Sequence, residues 1–171
     1  MTGHPTFHAD LLAGRTILVT GATSGIGAAT ARALAAVGAR VLASGRDEAK
    51  LEKLVSKLPG SLALPAALDE AGAAVKLAAQ ALDATGVGGL VNCAGFRPVK
   101  ASKRFTEAEN DRHFAVNVRA PMLLAIALGE AMKERRRGAI VNLSSVQGAV
   151  GTPHQIAYAS TKGAVDAMTR A

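Results

Sequence analysis

Aromatic residues are nearly missing from this chain: its 171 residues include no tryptophan, one tyrosine and four phenylalanines. That scarcity weighs against a nucleic-acid partner despite the formal charge of +7, because stacking on bases needs aromatic rings interleaved with cations. The densest basic run, Lys-Glu-Arg-Arg-Arg at residues 133–137, falls where a helix ends, and cations there complement the carbonyl end of the helix dipole. A basic surface also draws in a phosphate-rich ligand. Cysteine is as scarce. Cys93 stands alone, so no internal disulfide forms, and no Cys or His cluster has metal-ligand spacing; both point to a cytoplasmic setting and to no bound metal. His4, His8 and His113 are scattered and read as surface or incidental positions. Long apolar runs are missing too. The longest, residues 120–128, is far short of the ~20 residues that a membrane-spanning helix needs, and the first residues lack the basic-then-apolar order of a secretory leader.

What the chain does have is hydrophobic content, 49%. That is enough for one sizeable core, and the length makes two full domains uncomfortable, so residues 1–171 read as a single domain. Short β-rich runs alternate with longer helical patterns, the order of βαβ units and of a parallel sheet covered on both faces. Residues 16–20 give a buried first strand, followed by a glycine turn and a helix to about Val37 that Gly38 stops. Residues 40–44 are a second strand. Asp47 opens a helix whose Leu51, Leu54, Val55 and Leu58 form one apolar stripe, ended by Pro59 and Gly60. Residues 61–66 read as a third strand, 71–84 as an Ala-rich helix and 89–92 as a fourth strand. Thr106 and Glu109 form a capping box that opens a helix, and a long helical stretch continues over residues 116–136. Residues 138–143 are a fifth strand, and a helix begins near Ala157 and runs to the last residue with no cap, the pattern expected of part of something longer.

The chemistry concentrates at the turns. Thr20-Gly-Ala-Thr-Ser-Gly-Ile-Gly27 lies between the first strand and the first helix, where a glycine-rich turn holds dinucleotide phosphates against a helix N-terminus. Gly21 takes a positive-φ turn, Gly25 lets the backbone approach a pyrophosphate, and Gly27 lets helix and strand pack closely. The expected contact set is Gly21, Thr23, Ser24, Gly25, Ile26 and Gly27. Further on, Tyr158 and Lys162 are four apart and share a helical face, close enough for an ammonium to favour a phenolate. A phenol is ordinarily a poor base near neutrality, so a cation beside it is the tuning that acid/base catalysis requires. Ser145, thirteen positions before Tyr158, can hydrogen-bond a reacting oxygen, although a serine beside Ser144 also suits a turn or cap.

The Thr-Gly-x-x-x-Gly-x-Gly spacing, Asn92-Cys-Ala-Gly95, Asn117 in Ala115-Val-Asn-Val118, Ser145 and Tyr158-Ala-Ser-Thr-Lys162 occur in that order. Together they resemble the short-chain dehydrogenase/reductase family over essentially the whole chain. The resemblance implies a Rossmann-type, doubly wound parallel sheet with helices on both faces, here without the family's last strands. It implies hydride transfer between a nicotinamide and a small-molecule carbonyl or alcohol, with Asn117, Ser145, Tyr158 and Lys162 as the catalytic set. By the same resemblance Lys162 holds the nicotinamide ribose, Asn117 anchors a relay water, and Asn92, Ala94 and Gly95 lie along the cofactor. Dimers or tetramers packed through the long helices are expected, with neither nucleic acid nor membrane as a partner.

The cofactor type is read after the second strand. Gly45 occupies the position of the family's acidic residue and Arg46 follows it, which predicts NADP(H) rather than NAD(H), since an arginine pairs with the 2′-phosphate. Asp47 has two readings, a helix cap or a ribose acceptor. Three departures stand out: Cys93 replaces the family's second asparagine, Ala67 stands where an adenine-contacting aspartate is usual, with Asp69 nearby, and the substrate-covering segment is absent. Two functions follow, an NADP(H)-dependent oxidoreductase or a catalytically silent nucleotide-binding or interaction protein. Val146, Gln147, His154 and Gln155 lie between Ser145 and Tyr158 and carry no assigned role.

Overall fold

The first apolar run becomes strand β1 (Thr16–Thr20), buried along its entire length, because it lies at the middle of a sheet with helices on both faces. In this computed structural model, which describes residues 7–84, 86–98 and 105–171, five parallel strands pair in the order β3-β2-β1-β4-β5. The others are β2 (Arg40–Gly45), β3 (Leu62–Pro65), β4 (Val87–Asn92) and β5 (Ala139–Asn142). The helices are α1 (Gly25–Ala36), α2 (Glu48–Val55), α3 (Ala73–Asp83), α4 (Glu107–Phe114), α5 (Ala120–Glu134) and α6 (Ile156–Arg170). Alternation along each strand divides the core between the two faces. Ile17, Val19, Val41 and Ala43 pack with Leu51 and Leu54 of α2 and Ala31 of α1. Leu18, Leu42 and Leu90 pack with Leu77 of α3 and Leu124 and Leu128 of α5. The sheet is doubly wound in the Rossmann manner.

The long helix departs most from the sequence reading. The helix opened by the capping box and the stretch from Val116 are one: α4, a π-helical turn at Ala115–Arg119 and α5 are continuous, and Glu107–Glu134 is 28 residues long. The nine-residue apolar run thus sits within a helix long and apolar enough, by length and composition, to cross a membrane. Its inner residues Leu124, Leu128 and Met132 are buried against the sheet and α3, as in the core helix of a layered fold. The capping box at its start is present, with the Thr106 side chain accepting from the Glu109 N–H and the Glu109 carboxylate accepting from the Thr106 N–H. The π turn has a cause in the sequence. Pro121 has no N–H, so the Asn117 carbonyl loses its α-helical donor four residues on, and the ladder is interrupted there.

His113 also differs from expectation. It is not a surface residue but is 1% exposed, with Nδ1 2.8 Å from the Glu109 carbonyl oxygen and its ring edge-on to Phe96 and Phe105. A scattered histidine gives no periodic signal of burial, whereas the aromatic neighbours that enclose it come from an adjoining loop. His8 is exposed as expected, and His4 lies outside the described residues.

Candidate active site

The chain winds outward from β1 through β2 to β3, then crosses back to β4 and β5, so the strand order reverses between β1 and β4. At such a reversal the loops after neighbouring strands diverge and leave a crevice at the carboxyl ends of the strands. A cleft of about 370 Å³ opens there, lined by all six residues of the glycine-turn set, Gly21, Thr23, Ser24, Gly25, Ile26 and Gly27, and by Arg46, Ala94, Gly95, Arg97 and Tyr158. Gly21 has φ +67°, and a Cβ there would come within 2.8 Å of the Ala94 Cα. A Cβ on Gly27 would lie 2.2 Å from the Gly21 carbonyl oxygen, so the turn can fold onto α1 only with glycine at both places. A Cβ on Gly25 would meet nothing. Ser24, the N-cap, makes no side-chain cap bond, so the first N–H groups of α1 remain available to an anion in the cleft.

At one end of the cleft, Arg46 is in the wall. Any side chain at Gly45 would have to displace the Thr23 methyl, 2.6 Å from its Cβ position. Asp47 is the helix cap: its carboxylate accepts from the Lys50 N–H at 3.0 Å and pairs with the Lys50 ammonium at 2.7 Å. Those hydrogen bonds from Lys50 hold its pKa below the ordinary carboxylate value. Ala66, Leu68 and Asp69 line the cleft nearby. The Asp69 carboxylate is taken by Arg112, 2.8 Å away, and its backbone carbonyl by Arg119 at 3.0 Å.

The floor is braced by Thr20 and Asn92, at the ends of β1 and β4. Thr20 Oγ1 accepts from the N–H groups of Cys93 and Ala94, both at 3.1 Å, and so pins the loop after β4 to the end of β1. Asn92 lies beneath the floor rather than in the cleft wall, with its amide donating to the Asn142 side chain of β5 at 2.8 Å. Burial pushes the Cys93 thiol pKa up, against the smaller opposing influence of Lys162.

Of the four residues expected to be catalytic, Asn117, Tyr158 and Lys162 are brought together through α6. Asn117, 1% exposed, accepts from the Phe96 N–H at 2.7 Å and donates to the Phe96 carbonyl at 3.0 Å and to Thr161 Oγ1 at 3.1 Å. Lys162, 5% exposed, donates from Nζ to the Leu143 carbonyl and sits 5.7 Å from the centroid of the Tyr158 ring. Burial lowers its pKa from the ordinary lysine value, partly offset by Cys93 and Asp166. A small cavity of about 10 Å³, the room one water needs, is lined by the polar residues Thr20, Asn92, Asn117, Asn142 and Lys162 and by apolar side chains including Leu68, Val116 and Val165. The two serines have different tasks. Ser144 donates to the Lys162 carbonyl on α6 at 3.3 Å, and Ser145 accepts from the Gln147 N–H at 3.2 Å as it caps a short 3₁₀ turn at Val146–Gly148. Ser145 therefore fills the turn role and keeps its hydroxyl proton free to donate. Arg97, which the sequence reading missed, lies 5.4 Å from the Tyr158 ring centroid; an isolated arginine in a loop carries no pattern that would single it out.

The family model described as short chain dehydrogenase matches residues 15–171. Human L-xylulose reductase is 38% identical over 161 residues, a match covering 93% of this chain and 64% of that protein. Galactitol 2-dehydrogenase (L-tagatose-forming) of Cereibacter sphaeroides is 38% identical over 164 residues, covering 94% and 65%. Among solved structures, a short-chain dehydrogenase from Sphingobium yanoikuyae in complex with NADPH has a TM-score of 0.87 at 28% identity, over 91% of this chain and 63% of that one. A metagenomic short-chain oxidoreductase in complex with NADP has a TM-score of 0.85 at 35% identity, over 93% and 75%. The chain spans between about half and two thirds of the length of the curated relatives it matches. The family match opens one residue before β1 and takes in every strand of the sheet, and the chain therefore belongs to the short chain dehydrogenase family.

Proposed function

We propose that this chain binds NADP(H) and interconverts a carbonyl compound and its alcohol, with Tyr158 exchanging the proton at the substrate oxygen. The observation that carries this reading is the position of the chain's one tyrosine, in the wall of the same cleft that holds the open N-terminus of α1 and Arg46. The residues present fit a dinucleotide with a 2′-phosphate: the α1 N–H groups and the space at Gly25 suit a pyrophosphate, and Arg46 suits the additional phosphate. The NADPH and NADP in the two structural relatives support the same cofactor, and the two curated relatives, named for a ketose and a polyol, support carbonyl and alcohol substrates.

When bound, the nicotinamide supplies or accepts the hydride. In the reducing direction the carbonyl carbon gains that hydride, the π pair moves to oxygen, and Tyr158 delivers the proton that completes the alcohol. Ser145 donates its free hydroxyl proton to the same oxygen and orients it. Lys162, one helical turn from Tyr158, places positive charge beside the ring, where it favours release of the phenolic proton. The water-sized cavity lined by Asn117 and Lys162 supports a role for these two in returning that proton. A second reading of the same cleft is dinucleotide binding without turnover.

Titration of the chain with NADPH and NADH, followed by cofactor fluorescence, tests the reading without a substrate. Saturable binding that favours NADPH is expected, with the preference lost in Arg46→Ala. In a panel of ketones and aldehydes, Tyr158→Phe is expected to lower turnover by about a hundredfold or more with NADPH binding retained. No binding of either dinucleotide would overturn the proposal, and binding without reduction of any carbonyl would favour the second reading.

A further inference from the structure

The cleft offers anions three stations, and a dinucleotide accounts for two of them. Arg46 follows β2 and the open N-terminus of α1 follows β1; both match phosphates. The third is Arg97, in the loop after β4, exposed in the cleft wall with its guanidinium 5.4 Å from the centroid of the Tyr158 ring. Because β1 lies between β2 and β4, Arg46 and Arg97 stand on opposite sides of the glycine turn. Arg97 is thus at the end of the cleft where the reacting group must meet Tyr158, and a nicotinamide ring brings no anion there.

Neighbouring cations already have partners. Arg112 pairs with Asp69 at 2.8 Å and lies over the Phe96 ring, and Lys162 donates to the Leu143 carbonyl. Arg97 makes no ion pair among the described residues. Its ring contact leaves the guanidinium's N–H edges, which recognise carboxylates in a two-point geometry that a lysine cannot reproduce.

We infer that Arg97 makes this a site for oxo acids, carbonyl substrates whose carboxylate, a few bonds from the carbonyl, is held by the guanidinium while Tyr158 serves the carbonyl oxygen. The inference rests on the oxidoreductase reading of the cleft and adds its substrate class. Holding the carboxylate fixes the carbonyl against Tyr158, so the gain is in orientation as well as affinity. A neutral substrate of the same shape leaves the fork unmatched. The chain's net charge of +7 draws anions to the cleft in the same sense.

The test compares kcat/KM with NADPH for 2-oxobutanoate, acetoacetate and levulinate, each against its own methyl ester. At least one acid is expected to exceed its ester by about tenfold or more, as for a hydrogen-bonded charge pair; Arg97→Gln abolishes the difference and Arg97→Lys keeps part of it. Equal turnover of acids and esters, or an unchanged ratio in Arg97→Gln, overturns the inference. So does a loss of NADPH affinity in Arg97→Gln that accounts for the whole effect, since the arginine would then belong to the cofactor. A second measurement needs no turnover: calorimetric titration of oxamate and methyl oxamate into the chain, with and without NADP. Failure to reduce any carbonyl sinks the oxidoreductase reading alone. Arg97 is then decided by whether oxamate binds about tenfold tighter than its ester to the native chain but not to Arg97→Gln.

Discussion

Lys162 illustrates how far single residues could be read. Its place four residues after Tyr158 puts both on one side of a helix, but nothing in the spacing says that the residue is 5% exposed and its ammonium bonded to a strand-end carbonyl. Burial lowers its pKa below the ordinary 10.5. Between the folded and unfolded values the unfolded chain binds more protons, so stability rises with pH across that window. The cost of burying the charge is fully present below the folded pKa and gone above 10.5. Cys93 works in the opposite sense, because burial raises its pKa from 9.0 and stability falls as pH climbs from there. A difference measurement separates them: the stability of the native chain relative to Lys162→Met, from urea unfolding, is expected to increase from neutrality toward pH 10.5. A flat difference would show that the folded chain solvates this ammonium as well as water does. Asp47 and the two serines are the converse case. Their alternatives were each legible, and only three-dimensional partners distinguish them, Lys50 for Asp47, the α6 carbonyl for Ser144 and the Gln147 N–H for Ser145.

Elements were legible where their signals are local. The apolar stripe of α2, the capping box of α4 and the buried run of β1 all lie within a few residues of sequence. The joint between α4 and α5 was not, because a π turn shifts the hydrophobic register by one residue and breaks the 3.6-residue period on which the reading depends. That joint carries Asn117, whose three hydrogen bonds tie the long helix to the loop after β4 and to α6. Asn117→Ala removes partners from the Phe96 N–H and carbonyl at once and is expected to cost roughly 2–3 kcal/mol of stability. Hydrogen exchange should quicken at the Phe96 amide and through the start of α6. Thr106→Ala, which loses only a cap, is expected to cost about 1 kcal/mol and to leave exchange at Phe96 unchanged. Equal exchange in the two variants would mean that Asn117 does not hold these elements together.

At the scale of the whole molecule, the alternation of strands and helices predicts a parallel sheet, yet strand order is a matter of long-range contacts that no local pattern contains. Residues 138–143 read as a fifth strand with no indication of its place in the sheet, and β5 pairs only with β4 among the described residues. Its Val141 is 52% exposed and Ile140 36%. The opposite edge is protected by its composition: β3 is four residues long and ends in Pro65, which cannot donate to a further strand. β5 has no such device, and an apolar strand edge with free N–H and C=O groups pairs readily with another chain. Sedimentation of this chain is therefore expected to show association that grows with concentration, and Val141→Lys should reduce it while leaving the thermal midpoint within a few degrees, since an exposed substitution changes stability by about 0.5 kcal/mol or less. Leu62→Lys, at an exposed position on the other edge that leaves Pro65 in place, should leave the association as it is. A chain that sediments as a monomer at every concentration would overturn this reading of the β5 edge.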